Sequence, residues 1–148
     1  MDESQQKLLE QELTRDEGKK NTMYKDSRGF NTVGIGHLMD GKPLSDRVVS
    51  ILFSEDITEA ESFLNRNVPW WTNLSAIRQR VLLNMAFNMN GKLLQFKKAL
   101  FAMQAEQWKE AAAEMKDSVW YTQVGKRAKR LCYMMQYDQV PPQTDEYF

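Results

Sequence analysis

Leu8, Leu9 and Leu13 recur at helical spacing between Ser4 and Glu17. This predicts an amphipathic first helix capped by Ser4, with the leucines facing inward. Gly18 stands where a helix end needs a residue tolerant of left-handed backbone. From Tyr24 to Leu38 the period shortens to that of strands. Ser27-Arg28-Gly29 is a turn signal between two short β-like runs, so the stretch predicts a hairpin. Along the second run, alternation sends Asn31, Val33, Ile35 and His37 to one face and Phe30, Thr32, Gly34 and Gly36 to the other. Asp40-Gly41-Lys42-Pro43 then reads as a loop.

Ser45 caps a predicted long helix to about Arg66, with Phe53, Ile57, Ala60 and Leu64 along one stripe. Such a helix spans roughly 30 Å, enough to join two lobes. Pro69-Trp70-Trp71 ends it; the tryptophans fit a plug between helices, and they also fit a stacking surface for sugar rings. Ser75 caps the next helix, where Val81 to Phe87 is apolar nearly all round, the mark of a buried central helix. Helical patterns follow over Leu94–Ala105, Trp108–Met115 and Lys126–Gln136. Pro141-Pro142 stops regular structure and leaves a loose or surface-bound tail. The pattern as a whole predicts a mainly α chain with one small β-hairpin sheet.

Composition narrows the class. The 148 residues, 42% hydrophobic, suffice for one domain with its own core. Twenty basic and twenty acidic residues cancel, so no global field draws the chain to nucleic acid or to a membrane surface. Locally the balance is uneven. Residues 1–17 carry six acids against two bases, and Arg78 to Lys98 holds five bases and no acid. That basic run fits a solvated helix face, and it also fits a flank that meets an anionic polymer. Cys132 is alone, which excludes an intrachain disulfide, and its apolar helical setting predicts a buried, inert thiol. The polar, acidic start after Met1 predicts neither a signal peptide nor a signal anchor, hence accumulation in the cytoplasm without membrane insertion. One histidine, one cysteine and scattered acids offer no metal-ligand spacing, and no phosphate-binding loop is present.

The hairpin carries the candidate chemistry. Its face with Thr32, Gly34 and Gly36 is nearly bare, and glycine weakens a strand unless something must approach its backbone. A ligand lying across Gly34 and Gly36 is one such reason. Two carboxylates flank that face, Asp26 at the end of the first run and Glu17 at the end of the first helix. A helix C-terminus is the negative end of the macrodipole, a setting that suits a proton donor. An acid opposite an ionised carboxylate is the equipment of glycoside hydrolysis. The same two residues also fit a solvated helix end and an ordinary turn aspartate.

Asp16-Glu17-Gly18, Tyr24-Lys25-Asp26 and Thr32-Val33-Gly34-Ile35-Gly36-His37-Leu38 together resemble the signature of the phage lysozymes of the T-even type, the muramidases of glycoside hydrolase family 24. Asn84-Met85-Ala86-Phe87, Trp120-Tyr121 and Arg127-Ala128-Lys129-Arg130 extend the resemblance over nearly the whole chain. It implies an α+β lysozyme-like fold of one domain, residues 1–148. An N-terminal lobe of about residues 1–66, the long linking helix included, would precede a helical lobe of about 67–148. It implies hydrolysis of the β-1,4 bond between N-acetylmuramic acid and N-acetylglucosamine in peptidoglycan. Glu17 would be the catalytic acid, with Asp26 and Thr32 holding the attacking water.

The resemblance further implies substrate contacts at Gly36, Leu38, Phe87 and Arg127, and a structural ion pair between His37 and Asp56. Arg127 and Arg130 would lie near Glu17 and Asp16. It implies no cofactor, a monomer, and the role of an endolysin that reaches the wall once a separate holin opens the membrane. The chain departs from the T-even pattern in a shorter segment after the hairpin, and at Ala99, Glu114 and Val119, where polar or basic groups are expected. Two rivals share the scaffold. A lytic transglycosylase forms a 1,6-anhydro ring without water and has no use for the Asp26–Thr32 pair. A catalytically silent wall-binding protein has no use for any of the three.

Overall fold

The computed structural model describes residues 1–148, which form seven α-helices and one three-stranded antiparallel sheet. The expectation of a mainly α chain with a small β sheet is met. The chain divides into two compact units, Met1–Val49 and Ser50–Phe148.

In the first unit, helix α1 (Glu3–Glu17) starts earlier than expected. Its cap is Asp2, not Ser4: Asp2 is extended, and its carboxylate accepts from the backbone N–H of Gln5 at 2.8 Å. Gly18 closes α1 at φ +74°, donating to the carbonyl of Thr14 at 3.0 Å. The leucine stripe departs from expectation, because Leu8, Leu9 and Leu13 are 39–49% exposed and α1 buries no residue. The physical reason is size. Thr32 is the one buried residue of this 49-residue unit, so the unit has no apolar core for the stripe to join.

Strand β1 (Lys20–Lys25) pairs antiparallel with β2 (Asn31–Gly34), Tyr24 opposite Thr32 and Lys25 opposite Asn31. The second run is not one strand as expected. It folds back at Gly34-Ile35-Gly36 into β3 (His37–Leu38), which sets Thr32 opposite Leu38 and Val33 opposite His37. Gly34 and Gly36 sit at φ +68° and +66°, a region that side chains resist, so this turn alone accounts for both glycines.

Helix α2 (Asp46–Asn67) runs across the boundary between the units, with Ser45 just before it accepting from Val48 N–H. Burial deepens along its stripe: Phe53 is exposed, Ile57 intermediate, Ala60 and Leu64 buried.

The second unit holds the core. Helix α3 (Ala76–Met89), capped by Ser75, buries Val81, Leu82, Met85 and Ala86. Helices α4 (Lys97–Gln104), α5 (Trp108–Lys116) and α7 (Lys126–Tyr137) add Met103, Met115 and Met135. Trp71 is buried and its indole donates to Asn65 at 2.8 Å, so it plugs the helix junction; Trp70 packs partly buried against the same core. Cys132 is fully buried, and burial pushes its thiol pKa up to about 12, which leaves it inert. A further short helix, α6 (Val119–Val124), capped by Ser118, is too short for its period to show in the sequence. Arg78 ties α3 to the end of α7: it donates to Met135 O at 2.9 Å, pairs with Asp138 at 3.5 Å and lies over the Trp108 ring.

Candidate active site

The three residues expected to do chemistry all lie in the first unit. Asp26 closes β1, and its position follows from the turn it anchors. Its backbone N–H donates to Phe30 O at 2.9 Å, and its carbonyl accepts from Gly29 N–H at 3.0 Å. Oδ1 of Asp26 accepts from the backbone N–H groups of Arg28 at 2.8 Å and Phe30 at 2.9 Å. Oδ2 has only the Arg28 guanidinium, at 3.9 Å. One carboxylate oxygen is thus committed to the turn, and the other is left to accept a proton or a hydrogen bond from outside.

Thr32 is the only buried polar residue of the chain, at 4% exposure. Its hydroxyl donates to Phe30 O at 3.1 Å. Asp26 and Thr32 therefore grip one residue, Phe30, from its N–H and its carbonyl. With its proton so engaged, Thr32 Oγ1 keeps its lone pairs free to accept a hydrogen bond. Leu38 and Tyr24 flank Thr32 on the neighbouring strands and share its face.

Glu17, the last residue of α1, reaches the β2–β3 turn. A Cβ at Gly36 would stand 2.8 Å from Glu17 Oε2 and 3.0 Å from its Cδ, so the carboxyl lies against bare backbone. Gly36 thus has a second constraint besides its positive φ; Gly34, with nothing within 4 Å of its own Cβ position, has only the backbone one. Gly36 belongs with Glu17, a link that nineteen residues of sequence separation conceal.

Asp40 is a site-supporting residue that the sequence pattern did not single out. Its carboxylate accepts from both the backbone N–H of Asn31, at 2.6 Å, and the Asn31 side-chain amide, at 3.0 Å. These bonds, the backbone one foremost, hold the Asp40 pKa below its usual value. They fix the start of β2 one residue from Thr32. An aspartate just after a strand pair is the only local signal for this role. His37, opposite Val33, has a buried Nε2 without a hydrogen-bond partner.

The remaining expected residues belong to the second unit. Asp56 lies on α2 and is exposed. Phe87 is 38% exposed and meets Phe53 edge-on at 5.8 Å. Arg127 is held by Asn84, donating to its side-chain oxygen at 2.8 Å and to its carbonyl at 3.2 Å. Burial, and then the like charge of Arg130, pull the Arg127 guanidinium below the ordinary arginine value. Arg130 donates to Tyr147 O at 2.5 Å and faces the Phe148 ring, so the tail is surface-bound. Ala99, Glu114 and Val119, the three departures noted above, all line one groove of about 820 Å³. No group of three or more His, Cys, Asp or Glu is placed to hold a metal ion, and no helix is long and apolar enough to cross a membrane.

Comparison with known proteins identifies the family. The sequence model of the phage lysozyme family, described as Phage lysozyme, matches residues 14–133. Probable T4-type lysozyme 1 of Dictyostelium discoideum is 33% identical, covering 80% of this chain and 88% of the relative. Probable T4-type lysozyme 2 of the same organism is 31% identical, over 83% of this chain and 90% of the relative. The Pre-baseplate central spike protein Gp5 of Enterobacteria phage T4 is 33% identical over 80% of this chain, which corresponds to 26% of that protein. A family match over residues 14–133, with relatives covered almost end to end, fixes the assignment: the chain belongs to the phage lysozyme family.

Proposed function

We propose that this lysozyme cuts the β-1,4 bond between N-acetylmuramic acid and N-acetylglucosamine by direct displacement with water, inverting the anomeric carbon. Peptidoglycan hydrolysis itself follows from the family. In the proposed step Glu17 gives its proton to the leaving glycosidic oxygen. A water donates one hydrogen bond to Asp26 Oδ2 and the other to Thr32 Oγ1, which turns its lone pair to the anomeric carbon. Asp26 takes the proton that this water loses on attack. Gly36, Leu38, Phe87 and Arg127 would contact the glycan. Asp56 is proposed, from the family resemblance, as the ion-pair partner of His37.

The observation that carries the reading is the shared hold on Phe30. It leaves Asp26 with one uncommitted oxygen and Thr32 with acceptor lone pairs. The biological role we propose is that of an endolysin, a monomer held in the host cytoplasm until a separate holin gives it access to the wall. Glu17→Gln tests the acid. The folded variant should lose wall lysis, read as turbidity decay, by about 10²-fold or more, since acid catalysis is worth at least that. Retention of over a tenth of wild-type activity would remove Glu17 from the role.

A further inference from the structure

The peptide unit that joins Phe30 to Asn31 is held at both of its polar ends. At one end the Phe30 carbonyl accepts two hydrogen bonds, from the Asp26 N–H at 2.9 Å and from the Thr32 hydroxyl at 3.1 Å. At the other, the Asn31 N–H donates to Asp40 Oδ2 at 2.6 Å, while Oδ1 of the same carboxylate accepts from the Asn31 side-chain amide at 3.0 Å. The segment that brings Asp40 there is tied down as well, since the Met39 N–H donates to Asn31 O at 2.8 Å.

A peptide unit is planar, so a group that fixes its N–H also fixes the direction of its carbonyl. Here the N–H meets an ionised acceptor, which makes the shorter and stronger kind of hydrogen bond. An anion on the N–H also polarises the amide, and the carbonyl becomes a better acceptor for the hydroxyl bound to it. The Thr32 hydroxyl has no other hydrogen-bond partner in the protein, and its residue is buried. The direction of that one carbonyl therefore decides where the lone pairs of Thr32 Oγ1 point. Resting on the water reading above, we propose that Asp40 is a positioning residue for hydrolysis: its carboxylate orients the Phe30–Asn31 peptide and, through the carbonyl of that peptide, the Thr32 hydroxyl. Asp40 acts through Thr32 and not on the water.

The test is a double-variant cycle on a soluble muropeptide oligomer, with kcat and KM measured for wild type, Asp40→Ala, Thr32→Val and the two changes combined. Each variant is assayed well below its melting temperature, so that lost stability alone does not lower kcat. A misplacement of 1 Å can cost about 10²-fold, and removing one clamp of several costs less. Asp40→Ala should therefore lower kcat about three- to tenfold, with KM within about twofold of wild type. In the Thr32→Val background, where no hydroxyl is left to orient, the same change should cost about twofold or less. A wild-type kcat in Asp40→Ala would overturn the inference while leaving the water reading intact, and so would an Asp40→Ala loss of the same size in both backgrounds. A wild-type kcat in Thr32→Val would overturn both the inference and the water reading on which it stands.

Discussion

The Glu17 carboxyl rests on Gly36, so close that a Cβ there would stand 2.8 Å from Oε2. The end of a helix and the turn of a hairpin thus share one constraint, and the position of the proposed acid depends on a missing side chain. Gly34 provides the control, since it has nearly the same positive φ and open space where its Cβ would be.

Gly36→Ala and Gly34→Ala should therefore destabilise alike, by about 1–2 kcal/mol from left-handed backbone strain. Only Gly36→Ala should displace Glu17, and a shift of that order can lower kcat/KM about 10²-fold. Denaturant midpoints together with lysis rates separate the two effects. Equal activity losses in both variants would mean that the Glu17 contact is incidental.

Thr32→Val keeps the branched shape and removes the hydroxyl, whereas Thr32→Ser keeps the hydroxyl. If Thr32 positions water, the valine variant should lose kcat by about 10- to 10²-fold while serine retains most of it. A valine variant with the wild-type rate would reduce Thr32 to a buried strand residue.

Asp40 gives the hairpin a pH dependence of known sign. Its folded pKa lies below the unfolded value near 3.8, because the Asn31 N–H and amide groups favour the carboxylate. Its contribution is therefore complete above that value and is lost as pH falls through the folded pKa. Wild type should exceed Asp40→Ala in stability at pH 6, and the gap should narrow below pH 4. Urea midpoints at about pH 6 and pH 3 decide it, and a gap that is constant between them would deny Asp40 this role.

What could be read from the sequence was what local chemistry settles. Gly18, Ser75 and the Asp26–Gly29 turn act within four residues, and the apolar α3 declares its own burial. What escaped depends on distant partners. Gly34 and Gly36 read as a bare ligand face, whereas the pairing of β2 with β3 makes them a turn. The stripe of Leu8, Leu9 and Leu13 implied a core that the first unit does not contain. Asp40 joins Asn31 across nine residues, and the groove of about 820 Å³ gathers side chains from α4, α5, α6 and a 3₁₀ turn. Such sites have no period or motif by which a linear reading finds them.

The central claim is that Asp26 and Thr32 deliver a water in place of a covalent attack. The anomer formed first tests it most directly. Proton NMR of a soluble muropeptide oligomer, read before mutarotation, should show the new N-acetylmuramic acid end as the α-anomer, since a water entering opposite the leaving group inverts the β bond. A β-anomer formed first would contradict the account by requiring a covalent intermediate on Asp26, and a 1,6-anhydro product would exclude water from the step altogether.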